Sequence, residues 1–297
     1  MRVLLTGATG FVGRVAAETL AADGHDVVGV SRTAATPVNS KLTIRATLGS
    51  DDFVERVLAE AEPCEAIVHA AACISHDNSN PELISVNCLG TQQIATLAEK
   101  WSTPAVVYPS SLPLIGVPLT HPITEAHPTS PRTTYHATKL FGEHVLAAAA
   151  RDRAFVSLRL TAPVGPGMPD NRALSTFVRA ALAGSPITLV GKGGRIQNYV
   201  DVRDIASAIV NCIEQRPRGV FNLGGPAAIS NLELAEISIR ALNSKSTIVF
   251  SGTPDAAEGE VWDVSSEAAT RAFGYVPKHD IVSSIHAVAR QYERGLD

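Results

Sequence analysis

Tyr135 and Lys139 stand four residues apart in the segment Pro131-Arg-Thr-Thr-Tyr-His-Ala-Thr-Lys-Leu. On a helix this spacing puts both side chains on one face, with the ammonium near the phenol. A neighbouring positive charge favours phenolate and lowers a pKa that is ordinarily about 10. Such a group suits hydride transfer at a carbonyl, because each hydride moved to carbon needs a proton moved to oxygen. The chain also opens with Met-Arg-Val-Leu-Leu-Thr-Gly-Ala-Thr-Gly-Phe-Val-Gly, which places Gly7, Gly10 and Gly13 between an apolar run and a helical pattern. There Gly7 permits a sharp turn, Gly10 lets a pyrophosphate approach the backbone, and Gly13 allows close helix–strand packing. The helix start at Phe11 and Val12 offers free N–H groups and a positive dipole to phosphates. The spacing is G-x-x-G-x-x-G and not the commoner G-x-G-x-x-G.

These residues need a scaffold, and the chain supplies an alternating one. Candidate strands are Arg2–Thr6, Asp26–Val30, Leu42–Ala46, Ala66–Ala70, Ala105–Pro109 and Phe155–Leu160. Helical patterns lie between them at Phe11–Asp23, Asp51–Ala61, Pro81–Trp101 and Thr134–Arg151. Alternation with nearly continuous apolar strands predicts an α/β fold, a doubly wound parallel Rossmann sheet covered on both faces. After Gly165-Pro166-Gly167 the rhythm changes. A helix at Leu174–Ala183, a short strand from Thr188 and a Gly-rich turn at Gly191 come first. Helix Val202–Gln215 and strand Gly219–Leu223 return to the main sheet, and helices at Asn231–Leu242 and Asp280–Arg294 complete a smaller lobe. The reading is a dinucleotide-binding domain over 1–165, with 200–228 returning to it, and a substrate-binding lobe from 166–199 and 229–297. A substrate would bind between the carboxyl edge of the sheet and that lobe.

Bulk properties remove other classes. The 297 residues are 45% hydrophobic and 18% charged, which describes a folded globular protein and not a disordered chain. A net charge of -4 with no basic run gives no general attraction to nucleic acid or to an anionic membrane. No apolar stretch reaches membrane-spanning length, and the apolar run after Met1 is too short for a signal peptide. Cys64, Cys73, Cys88 and Cys212 fit no zinc spacing, so no metal is expected and a reducing cytoplasm is.

The chain resembles the extended short-chain dehydrogenase/reductases of the NAD-dependent epimerase/dehydratase group. The landmarks are Thr6-Gly-Ala-Thr-Gly-Phe-Val-Gly, His69-Ala-Ala-Ala, Asn87 with Gly90-Thr91, Ser110-Ser111, the Tyr135–Lys139 segment, Leu158-Arg159, Val200–Ile205 and Phe221-Asn-Leu-Gly-Gly. The resemblance implies that Ser111 holds the substrate oxygen, Tyr135 exchanges its proton, and Lys139 holds the nicotinamide ribose and depresses the tyrosine pKa. It also implies that Leu48, Ala70, Ala71 and Asn87 line the cofactor groove, with Pro163 and Val164 near the nicotinamide. His69 reads as a packed histidine and Asp204 as a structural carboxylate. Helices Pro81–Trp101 and Thr134–Arg151 form the dimer bundle in many relatives, so a homodimer is implied.

Departures from the family decide the finer reading. At the end of the second strand, an acid would bind the ribose hydroxyls of NAD. Here Ser31 and Arg32 stand there, a hydroxyl and a guanidinium suited to a 2′-phosphate. NADP is therefore expected, with NAD as the alternative. Leu112-Pro113 occupies the place where dehydratases carry an acidic pair, which leaves hydride transfer used once or twice. On the substrate side Ala162 replaces an asparagine, and Gln197 replaces a phosphate-gripping arginine, with Arg195 two residues earlier. Pro113 adjoins Ser111, and Ala257-Glu-Gly-Glu is acidic where a second arginine would fall. The expected function is an NADPH-linked reductase of a keto-sugar, free or nucleotide-linked, or of a related carbonyl compound. The alternatives are an NAD-dependent sugar-nucleotide epimerase working through a transient 4-keto intermediate, and a non-catalytic NADP-binding sensor.

Overall fold

The computed structural model describes residues 1–33 and 40–293. The first half runs β1 (Arg2–Thr6), α1 (Phe11–Ala22), β2 (Asp26–Ser31), β3 (Leu42–Arg45), α2 (Phe53–Glu60), β4 (Ala66–His69) and α3 (Glu82–Ile84). A π-helical turn at Ser85–Leu89 then joins α3 to α4 (Gly90–Lys100). Next come β5 (Ala105–Ser111), a 3₁₀ turn at Leu112–Ile115, α5 (Thr134–Ala150) and β6 (Ala154–Leu160). The second half holds β7 (Ala162–Val164), α6 (Ala173–Leu182), β8 (Ile187–Leu189), β9 (Ile196–Asp201), α7 (Val202–Gln215) and β10 (Gly219–Leu223). It ends with β11 (Ala228–Ser230), α8 (Asn231–Ala241), β12 (Ile248–Phe250), α9 (Glu267–Phe273) and α10 (Ile281–Glu293).

The central sheet is parallel throughout, in the order β10-β6-β5-β4-β1-β2-β3. Its apolar strands are continuous because alternate residues serve two cores. Val3, Leu5, Val27 and Val68 face α1 and α7, and Leu4, Val28, Ile44 and Ile67 face the helices on the other side. The winding reverses beside β1, where Thr6 pairs with Val30 on one side and His69 on the other. That reversal leaves a crevice at the carboxyl edge, the usual place for a ligand in such sheets.

The second half gives a small three-stranded sheet, β11-β9-β7, and a two-stranded one, β12-β8. Val164, Phe177, Leu234 and Ile285 form a separate core there. α9 instead packs against the main core through Ala269 and Phe273, the latter edge-on to Phe221. β7, β11, β12 and α9 were not foreseen, because three-residue strands and a seven-residue helix carry too little periodicity. β9 was missed for another reason. Its Gln197 and Asn198 are polar strand residues; Asn198 holds Thr161 and the Gly225 backbone, while Gln197 lines the cleft.

Candidate active site

A cleft of about 1170 Å³ runs along the carboxyl edge of the sheet. At one end it is lined by Gly7, Gly10, Phe11, Val12, Gly13, Ser31, Arg32, Leu48, Ala70 and Ala71. Gly7 has φ +72°, and a Cβ there would sit 2.6 Å from the Ala71 nitrogen. A Cβ on Gly13 would lie 2.0 Å from the Gly7 carbonyl oxygen. Side chains are thereby kept out of the turn, and Gly10 caps α1 with nothing of its own over the first N–H groups. The cradle fits a dinucleotide pyrophosphate.

Ser111 is the last residue of β5, two residues beyond the strand end read from sequence, and it is paired with Leu160. α5 starts from Thr133, whose hydroxyl accepts from the His136 backbone N–H at 3.2 Å. Tyr135 and Lys139 lie on the first turns of α5, and with Ser111 they line the middle of the cleft beside Pro163 and Val164.

The electrostatics differ from the sequence expectation. Burial pushes the Tyr135 phenol up to about 12, and the cation opposing that rise is Arg172. Lys139 is turned elsewhere. Its ammonium donates to the Pro109 carbonyl at 2.8 Å and sits 4.5 Å over the Tyr108 ring. Burial pulls its pKa down to about 8, against the pull of Glu143. The expected lowering of the tyrosine by the lysine is therefore absent from the free protein.

Asn87 also departs from its expected place. It is buried in the π-helical turn behind the cleft wall. Its amide bonds both the N–H and the C=O of Cys73, at 2.7 and 2.9 Å, and also Thr138. It braces the wall from behind. His69 is packed as expected: stacked on Tyr108, held between Thr6 and Thr91, and lowered by burial to about 3. Asp204 is structural too, accepting from the backbone and ring of His279.

At the far end Pro113, Ala162, Arg195 and Gln197 line the cleft, joined by Arg132, Arg172 and Trp262. The Gln197 amide oxygen, turned toward Arg195, accepts from its Nε at 3.2 Å and Nη2 at 2.9 Å. The acidic run that seemed to oppose a phosphate is engaged internally. Glu258 accepts from the backbone N–H groups of Lys192 and Gly194, and Glu260 holds Arg132 at 2.7 Å. Sequence reading gave no role to Arg132, Arg172 or Ser110. Arg132 lies inside the Tyr135 segment, a signal of proximity that was there to use. The Ser110 hydroxyl is buried on the cleft wall without a partner among the described residues.

The family model for the NAD dependent epimerase/dehydratase family matches residues 3–224. The chain belongs to that family. It is 32% identical to UDP-glucose 4-epimerase of Mycolicibacterium smegmatis, over 79% of this chain and 80% of that protein. UDP-glucuronic acid decarboxylase 1 of Arabidopsis thaliana is 27% identical over 84% of this chain, which spans 60% of the decarboxylase's length. UDP-glucose 4-epimerase of Thermus thermophilus, solved in complex with NAD, has a TM-score of 0.86 at 25% identity, covering 99% of both chains. Membership makes the protein one of a family of nicotinamide-dependent enzymes with a Rossmann-type sheet. These relatives favour the epimerase alternative over the NADPH-linked reductase. Among the described residues no helix is long and apolar enough to cross a membrane, and no group of metal-ligating side chains occurs.

Proposed function

We propose that this chain is an NAD-dependent epimerase acting on the sugar of a nucleoside diphosphate sugar. The observation that carries the reading is the single cleft in which Ser111, Tyr135 and Lys139 lie between the glycine cradle and the arginines Arg132, Arg172 and Arg195. Bound NAD would accept a hydride from a ring carbon and return it. The chain's own residues supply the remainder. Gly7, Gly10 and Gly13 with the N–H groups of α1 would hold the pyrophosphate, and Lys139 would hold the nicotinamide ribose. Ser111 donates to the sugar oxygen, and Tyr135 takes and restores the proton on that oxygen. Arg195 and Arg172 suit the substrate diphosphate, because guanidinium pairs with phosphate oxygens in a bidentate way, whereas Arg132 is held by Glu260. Leu112, Leu114 and Ile115 of the turn after Ser111 are packed inward with Trp262. No acid or base from that turn is available for a dehydration, which suits a cycle of oxidation and re-reduction. An inward-packed turn would equally serve a decarboxylase; coverage of both chains makes the epimerase relative the better guide.

The test is incubation of the purified protein with UDP-glucose and no added NADPH, followed by NMR of the sugar. Appearance of the C4 epimer with no net change in nicotinamide absorbance is expected. No epimer from UDP-glucose, together with stoichiometric loss of NADPH when a nucleotide-linked 4-keto sugar is supplied instead, would return the reductase. A homodimer through α4 and α5 goes with this reading. Ile84 and Leu89, apolar and exposed on the α3–α4 segment, support it, and mass photometry decides it.

A further inference from the structure

Arg32 and Glu82 face each other at the dinucleotide end of the cleft. Arg32 follows β2 and Glu82 opens α3, and the two come within 3.8 Å, guanidinium Nη1 to carboxylate Oε2. Both line the cleft. The arginine that reads in sequence as a free phosphate ligand is therefore already opposed by a carboxylate. Ser31 does not offer a free hydroxyl either, because its Oγ is engaged with the Thr33 hydroxyl and N–H, each at 3.3 Å. Three carboxylate residues line the cleft among the described residues: Glu82, Asp255 and Glu260. Glu260 holds Arg132, and Asp255 lies with it at the substrate end. Glu82 is the acid of the dinucleotide end. Its carboxylate also faces the Cys73 thiol, which burial and then Glu82 push up.

We propose that Glu82 sets the cofactor preference of this chain, by holding Arg32 in an ion pair and opposing a phosphate on the adenosine ribose. The proposal deepens the NAD reading above and rests on it for the direction of the preference. A lone guanidinium at this place would attract a 2′-phosphate carrying nearly two negative charges. Paired with Glu82, the same guanidinium adds little net field, and the carboxylate repels the phosphate. An unphosphorylated ribose meets no such repulsion, and its hydroxyls can donate to a carboxylate. An acid borrowed from α3 thus does what an acid at the end of β2 would do.

Fluorescence titration with NADH and NADPH at matched ionic strength tests this, on wild-type protein, Glu82→Gln and the double variant Arg32→Gln/Glu82→Gln. All are freed of co-purifying nucleotide with charcoal and checked by circular dichroism. Glu82→Gln should shift the affinity ratio toward NADPH about tenfold, about 1.4 kcal/mol, through a gain for NADPH together with a loss for NADH. The added Arg32→Gln should cancel that shift. An unchanged ratio in Glu82→Gln, or an equal loss for both nucleotides, overturns the role of Glu82. Wild-type protein binding NADPH more tightly than NADH overturns the NAD reading instead. The wild-type ratio and its change on substitution answer these two questions separately. Should Glu82→Gln fold poorly, Glu82→Ala carries the same expectation.

Discussion

Lys139 donates a hydrogen bond of 2.8 Å to the carbonyl oxygen of Pro109, tying α5 to the end of β5. The ammonium is buried, and its pKa is pulled down from 10.5 to about 8 by that burial. In the unfolded chain the group regains its ordinary pKa. Between about pH 8 and 10.5 the unfolded state therefore binds more protons than the folded one, and this residue makes stability rise with pH. Below pH 8 the folded protein bears the full penalty of burying the charge. Lys139→Met should then raise the Tm of the nucleotide-free protein at pH 7 by a few degrees, while removing turnover. The pH dependence is the sharper readout. The stability difference between variant and wild type should shrink by roughly 1.4 kcal/mol per pH unit across that window. Melts at pH 7, 8.5 and 10 giving a constant difference would falsify the assignment.

Tyr135 leads to a second expectation. The chain has five tyrosines, and burial raises the phenol of each: Tyr108, Tyr135, Tyr199, Tyr275 and Tyr292. Absorbance titration of the native nucleotide-free protein at phenolate wavelengths should show no ionisation below about pH 10. A phenolate forming near neutrality in the free protein, and lost in Tyr135→Phe, would mean that the catalytic face is already activated. Turnover in Tyr135→Phe should fall by about 10²- to 10⁴-fold, the usual contribution of a positioned acid–base group.

The same pair of residues shows what sequence could and could not convey. Strand–helix alternation and the glycine spacing gave the sheet, the cradle and the neighbourhood of Tyr135 and Lys139, because these rest on local periodicity and backbone geometry. The direction of the Lys139 side chain did not follow from i,i+4 spacing. It depends on Pro109, a strand residue whose carbonyl lies within its reach. The ion pair of Arg32 was hidden from sequence for a similar reason. Its partner Glu82 lies far along the chain, and only the fold brings α3 beside the end of β2. Asn87 was placed in the cofactor groove by family resemblance, which does not carry the local helix geometry. Asn87 lies in the π-helical turn at Ser85–Leu89, and its amide instead holds the Cys73 backbone.

Glu143 and Arg159 form a buried pair behind the site, 2.8 Å apart, with Ser157 donating to the same carboxylate. Removing one partner leaves an uncompensated buried charge. Arg159→Met should destabilise the fold by about 3 to 5 kcal/mol, seen in urea unfolding as a lowered midpoint with an unchanged slope. Glu143→Leu added to it should recover most of the loss. If the double variant is as unstable as the single one, packing and not charge explains the effect.

The substrate end allows a swap experiment. The family resemblance implies a phosphate-gripping arginine at the position of Gln197, whereas here Arg195 stands two residues away and Gln197 orients it through its amide. With a period of two along an extended segment, Arg195 and Gln197 present the same face, and both line the cleft. The guanidinium can then reach one ligand from either position. Arg195→Ala should weaken UDP binding about tenfold, an effect that shrinks at high salt as a charge contact must. Gln197→Arg introduced into that variant should restore most of the affinity. Gln197→Ala alone should give a smaller loss, since it frees Arg195 without removing its charge. Isothermal titration with UDP at two salt concentrations distinguishes the outcomes. A normal affinity in Arg195→Ala would move the diphosphate contact to Arg172.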